Sequence, residues 1–309
     1  MTKTTTLSKA RLVAALGSTA LCATAALALP RFADWAPPVS IEALPASSTA
    51  INTAAIDGCA SLSRDGLTLF FNSNRSGNFD IFVATRASRD EGFGEPQRLP
   101  APINTSANES CPTFTQDHRL FFSSDREDSA YDIYAARWQA GEWTDPVNLG
   151  GNINRPGWLD ETPTFYEDEQ GREVMIFSSR LPGGTQGKIY QSVEFGPATL
   201  VEGGVNSAGS DNRPSITHDG LTLFFDSTRS GGAGGPDLHV ASRTSVSEPF
   251  GPATNLRSLN SPGFDARPWV SWDGRDLIYA SIRGTGEGGP DILWTSREKA
   301  TPGAKEVIF

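Results

Sequence analysis

The chain has 309 residues, with 26 Lys and Arg against 36 Asp and Glu and a net charge of −10. An acidic chain without a basic block argues against nucleic acid and anionic membrane surfaces as partners. Apolar, strand-like runs recur among 31 Gly and 21 Pro, which marks a turn-rich fold and not disorder; all-β folds of this length often form one domain.

Residues 1–28 read as a secretory signal peptide. Lys3, Lys9 and Arg11 precede an apolar stretch at 12–29, and Ala26-Leu27-Ala28 suits a small-x-small cleavage site. The other reading is an uncleaved anchor, since the stretch reaches the lower limit of a span; Gly17, Ser18, Thr19 and Thr24 weaken it. Residues 29–34 follow as a linker. The expected location is the periplasm or the outside of the cell, with no membrane insertion after cleavage.

Five copies of one pattern then fill the chain: 61–86, 113–137, 164–192, 215–243 and 269–297. Each reads as a short strand, a tight turn with Asp-Gly or a variant, an apolar strand, a Gly/Ser loop and a third strand. A fourth strand follows in four copies, at 93–99, 143–149, 195–200 and 250–256. The fifth copy lacks one, and the spare is at the other end, in WAPPVSIEAL (35–44). The expected fold is therefore all-β: a single five-bladed β-propeller of four-stranded antiparallel blades, closed by an N-terminal strand. The blades cover about 57–99, 109–149, 160–200, 211–256 and 265–297 plus 35–44, with 298–309 as a C-terminal tail.

Two markers set the blade count. An acid precedes each inner strand: Asp57, Glu109, Asp160, Asp211 and Asp265, at intervals of 52, 51, 51 and 54 residues. An Asn precedes each acid: Asn52, Asn104, Asn154, Asn206 and Asn260. The period exceeds that of WD repeats, about 40–45 residues.

The repeat S-x-D-G-x-x-L-x-F-x-S-x-R-S-G-x-x-D-I, fullest in the first and fourth copies, resembles the TolB-type, or WD-like, propeller repeat across roughly residues 35–297. The chain is too short for the N-terminal domain that TolB adds. The third copy departs from the pattern, with Lys188 where the others have Asp80, Asp132, Asp237 and Asp291. Such propellers serve both as binding scaffolds and as enzymes, so the resemblance implies fold more than function.

On this topology one face carries the marker acids near the central channel and, further out, an Arg from every copy: Arg75, Arg126, Arg180, Arg229 and Arg283. The Asp-Gly turns, with His118 and His218, fall on the opposite face, and His239 lies in a third strand. Arg pairs well with carboxylates, so an Arg/Asp lattice present in every copy reads as architecture. A second expectation is a Ca²⁺ ion in the channel, held by Asp57, Glu109, Asp160, Asp211 and Asp265, because five facing carboxylates repel unless a cation or protons intervene.

A ring with acids at its inner-strand starts is also similar to arabinanase-type and invertase-type glycosidases, where one carboxylate is the general acid and another the base or nucleophile. Candidates here are Glu109, Asp160 and Glu161; Glu161 occurs in one copy only, and Trp158 beside it could stack on a sugar. No HExxH or paired-Cys zinc spacing is present. The Gly-rich stretches at 231–237 and 284–291 join strands and do not open a helix, which disfavours a phosphate loop. Cys59 and Cys111 occupy the same position in adjacent copies. They are expected as a disulfide if their Cα atoms approach within ~7 Å, or otherwise as two buried thiols. The functional expectation is a monomeric binding or scaffold module for an envelope protein or glycan, with glycan hydrolysis or lyase chemistry at the channel mouth as the alternative.

Overall fold

The structure, a computed structural model, describes residues 32–127, 130–184, 186–283 and 288–300. The signal peptide read at 1–28 lies outside the described residues, as do 301–309 of the tail. Among the described residues no helix is long and apolar enough to cross a membrane.

The described chain forms a five-bladed, all-β propeller. Blade 1 comprises, from the inside outwards, Asp57–Leu62, Thr68–Ser73, Asp80–Thr85 and Gln97–Arg98. Blade 2 comprises Glu109–Phe114, Arg119–Ser124, Asp132–Gln139 and Val147–Asn148, with Glu142–Trp143 as an added hairpin on its third strand. Blade 3 is Leu159–Glu167, Glu173–Arg180, Lys188–Val193 and Thr199–Leu200. Blade 4 is Asp211–Ile216, Thr222–Ser227, Asp237–Ser242 and Thr254–Asn255. Blade 5 is Asp265–Val270, Asp276–Ser281 and Asp291–Ser296, completed by Val39–Ser40 from the start of the chain.

The closing strand pairs Val39 with Trp294 and Ser40 with Leu293. Pairing extends beyond the 35–44 strand. Residues 32–34, read as linker, lie along the chain's other end: Ala33 N–H donates to Glu298 O at 2.9 Å, and Phe32 bridges to Lys299.

The core lies between blades, and strand periodicity explains it. Successive side chains of a strand face opposite ways, so the two aromatics of each Leu-Phe-Phe second strand serve different neighbours. Phe70 packs with Leu120 and Phe122 of blade 2, while Phe71 packs with Ile278, Ile292 and Trp294 of blade 5. Phe224 and Phe225 repeat the division, towards blade 5 and blade 3.

The Gly-rich stretches have a packing role. A Cβ on Gly234 would lie 1.9 Å from Pro262 O, and one on Gly289 2.4 Å from Ala55 O. Each Gly-Gly-Pro-Asp loop thus presses its backbone on the loop entering the next blade. Pro236 and Pro290 carbonyls there accept from Asp265 and Asp57 N–H.

Candidate functional site

The marker acids are fully buried and bonded within their own blades. Asp57 accepts from Thr53 N–H at 2.7 Å and from Arg75 Nη2 at 2.7 Å, and the same guanidinium donates to the carbonyls of Ala50 and Ile51. Arg126, Arg229 and Arg283 bind Glu109, Asp211 and Asp265 at 3.3, 2.7 and 2.8 Å. Ser124, Ser227 and Ser281 add a hydroxyl to each. Charge at these four acids is answered by an Arg of the same blade. Among the described residues no group of three or more His, Cys, Asp or Glu comes together that could hold a metal.

The third blade differs. Arg180 does not meet Asp160; its Nε faces Glu161 Oε2 at 3.6 Å. Asp160 is served instead by Arg155, through its N–H at 2.8 Å and, more remotely, Nη2 at 3.8 Å. Burial is the main reason that the Asp160 carboxyl is pushed up to about 6. Trp158 is half-buried, with the Arg155 guanidinium 4.0 Å over its ring. Lys188 donates to the carbonyls of Ser207 and Gly209 and lies 3.7 Å from Asp211, tying down the next blade's loop.

The five Asn markers are clamps between a loop and the preceding blade. Asn104 Oδ1 accepts from Ile81 N–H and its Nδ2 donates to Ile81 O, both at 2.8 Å. Asn154, Asn206 and Asn260 grip Ile133, Ile189 and Leu238 in the same way, and Asn52 grips Ile292.

Two residues after each acid stand Cys59, Cys111, Thr162, Arg213 and Arg267, of which all but Arg213 line the channel. Each sits at a β-bulge, with φ between 47° and 60°. A bulge re-aims its residue at the cost of a left-handed backbone, about 1 kcal/mol for a non-glycine residue. Cys59 and Cys111 form a disulfide, Cα atoms 4.7 Å apart. Arg213 pairs with buried Asp226 at 3.1 Å. Asp226 also accepts the Arg267 N–H, and burial pushes its carboxyl up despite these partners. The waist of the channel is narrow: the cavity there measures about 20 Å³.

The main concavity is at the other mouth, on the Asp-Gly-turn face, and holds about 300 Å³. Inner-strand ends supply its floor, including Phe114, Phe165 and Trp269. Arg64, Gln116, Glu167, His218 and Trp272 supply its rim. His218 stacks on Trp272, and the Arg64 guanidinium lies 4.3 Å over the same ring. Burial, and then Arg64, hold the His218 imidazole below its usual range. The nearby carboxylates Asp117 and Glu173 both pair with Arg119.

Sequence reasoning placed His218 on this face but did not assemble the basin, which draws on strand ends from all five blades. It also missed a second Arg series closing the third strands. Arg86, Arg243 and Arg297 donate to Gly66, Gly220 and Gly274 of the turns.

No protein-family model and no curated protein sequence matches the chain. Solved structures do. The endo-arabinase of Bacteroides thetaiotaomicron is 14% identical over 82% of this chain and 97% of that one, with a TM-score of 0.53. The arabinanase of Bacillus subtilis is 13% identical over 82% and 96%, with 0.54. TolB of Acinetobacter baumannii is 14% identical over 78% of this chain and 54% of that chain, with 0.48. At these identities the likeness is one of fold.

Proposed function

We propose that the protein is an exported, non-catalytic binding module of the cell envelope, and that a glycan or a segment of an envelope protein enters the basin on the Asp-Gly-turn face. The observation that carries this reading is the basin: about 300 Å³, at the small end of ligand pockets, with aromatic walls and a polar rim. Trp269 supplies an apolar surface of the kind that stacks on sugars or side chains, and Trp272, sandwiched between His218 and Arg64, holds these two polar groups at the rim. Two of the basin's three carboxylates, Asp117 and Glu173, are committed to Arg119, which suits holding more than proton transfer. Export is supported by the pattern of residues 1–28 and by the Cys59–Cys111 disulfide, a bond that persists in oxidising compartments.

The test is a tryptophan-fluorescence titration against an oligosaccharide panel and envelope extract, followed by Trp272→Ala and Trp269→Ala. Saturable binding lost in a folded variant supports the reading. Binding unaffected by both substitutions overturns it.

One observation favours glycan hydrolysis as a second reading. Glu161 is present in one blade only, and its side chain keeps 18% exposure at the acid-face mouth, where Glu109 and Asp160 have none. Hydrolysis of a panel member that disappears in folded Glu161→Gln would favour it.

A further inference from the structure

The small cavity at the channel waist lies directly beneath the basin and shares Thr113, Thr164 and Trp269 with it as walls. Its about 20 Å³ admits one water-sized species. What distinguishes it is the sign of the groups around it.

No Asp or Glu lines the cavity among the described residues. Arg267 does, and its Nε and Nη1 are shielded from solvent with no hydrogen-bond partner among the described residues. Asp226 takes the Arg267 backbone N–H and the Arg213 side chain, so it and Glu161 attract the Arg267 guanidinium only at longer range and give its Nε and Nη1 no hydrogen bond. Thr162 Oγ1, another lining atom, is likewise buried without a partner. Ser215 Oγ accepts the Val270 N–H at 2.9 Å, and Thr164 Oγ1 accepts the Ile216 N–H at 3.2 Å. An accepting hydroxyl keeps its own proton to give, and both residues line the cavity. Burial and the neighbouring Arg213 pull the Arg267 guanidinium down to about 10 even though Asp226 and Glu161 oppose the shift, and a closer negative charge would oppose it further.

We propose that the waist of the channel is a binding site for one small inorganic anion of the halide class, held by the Arg267 guanidinium and the hydroxyls of Thr162, Thr164 and Ser215. Converging donors without a carboxylate select an anion over a cation. The volume selects a chloride-sized ion over phosphate or an organic acid. The site is distinct from the ligand basin above it and does not depend on what that basin binds.

The experiment uses the protein purified without halide. Its melting temperature is followed as chloride replaces methanesulfonate at constant ionic strength, and crystals grown in bromide are measured at the bromine absorption edge. An anion at a hundred times its dissociation constant raises the melting temperature by about 5 °C. The proposal expects that rise, its loss in Arg267→Met, its weakening in Thr162→Val, and an anomalous peak between Arg267 and Thr162. Identical melting in the two salts, or a bromide crystal with water alone in the cavity, overturns it. Because the anomalous measurement uses the unsubstituted protein, a variant that fails to fold leaves the test intact.

Discussion

Arg155 Nη2 stops 3.8 Å from Asp160 Oδ1, whereas Arg229 reaches the equivalent Asp211 at 2.7 Å. The third blade therefore keeps a fully buried carboxyl with an incomplete set of donors, and Asp160 Oδ1 has no hydrogen-bond partner among the described residues.

A pH dependence follows. The folded-state carboxyl, at about 6, lies above its ordinary 3.8, so between these values the native state binds more protons than the unfolded one. Its stabilising contribution is complete below about 4 and is lost as pH rises through about 6. The difference amounts to about 3 kcal/mol at most. Asp160→Asn removes this component, so its unfolding free energy falls less steeply from pH 4 to 7. Urea denaturation across that range checks it.

The intact staples behave differently. Arg283→Met strands a fully buried Asp265 and should cost about 3 kcal/mol, because an uncompensated buried charge outweighs the pair's own attraction. Arg180→Met removes a half-exposed group 3.6 Å from Glu161 and should cost under about 1 kcal/mol. Equilibrium denaturation of the two variants side by side tests the contrast.

The blades and their closure could be read directly, because turn chemistry and hydrophobic alternation are local and recur every 51 to 54 residues. The residue types of the staples were equally visible. Their geometry was not, because it depends on bulges that turn Cys59, Thr162 and Arg267 rather than the marker acids towards the channel. The Arg155 substitution did leave a trace: its counterparts are Thr53, Thr105, Ser207 and Ser261, each a hydroxyl that bonds its acid. The basin left none, since it gathers residues from five separate repeats.

The Cys59–Cys111 bond closes a loop with a sequence separation of 52 between two adjacent blades. By chain entropy its removal should cost about 4 kcal/mol. Cys59→Ser with Cys111→Ser, compared with the oxidised protein in guanidinium, tests the figure. Free-thiol titration of the denatured, unreduced protein should find neither of these cysteines.

Removing residues 1–44 deletes the outer strand of blade 5 and bares the edge of Asp291–Ser296, along with Thr295, whose hydroxyl donates to Ala36 O at 2.6 Å. Unpaired edges recruit other chains. The truncated protein should elute as larger species than the longer chain or aggregate, as size-exclusion chromatography with light scattering would register.

The Asn52–Ile292 clamp spans 240 positions, and this sets an order of events. A chain made from its N-terminus holds Val39, Ser40 and Asn52 without their blade 5 partners until nearly the last strand has emerged. The ring cannot finish while synthesis is under way. Blades 1 to 4 can form from near neighbours, but the fifth waits for the two ends to find each other, a late and entropically slow step. Under the export proposed above, that delay would keep the polypeptide incompletely folded for as long as it must thread a narrow passage.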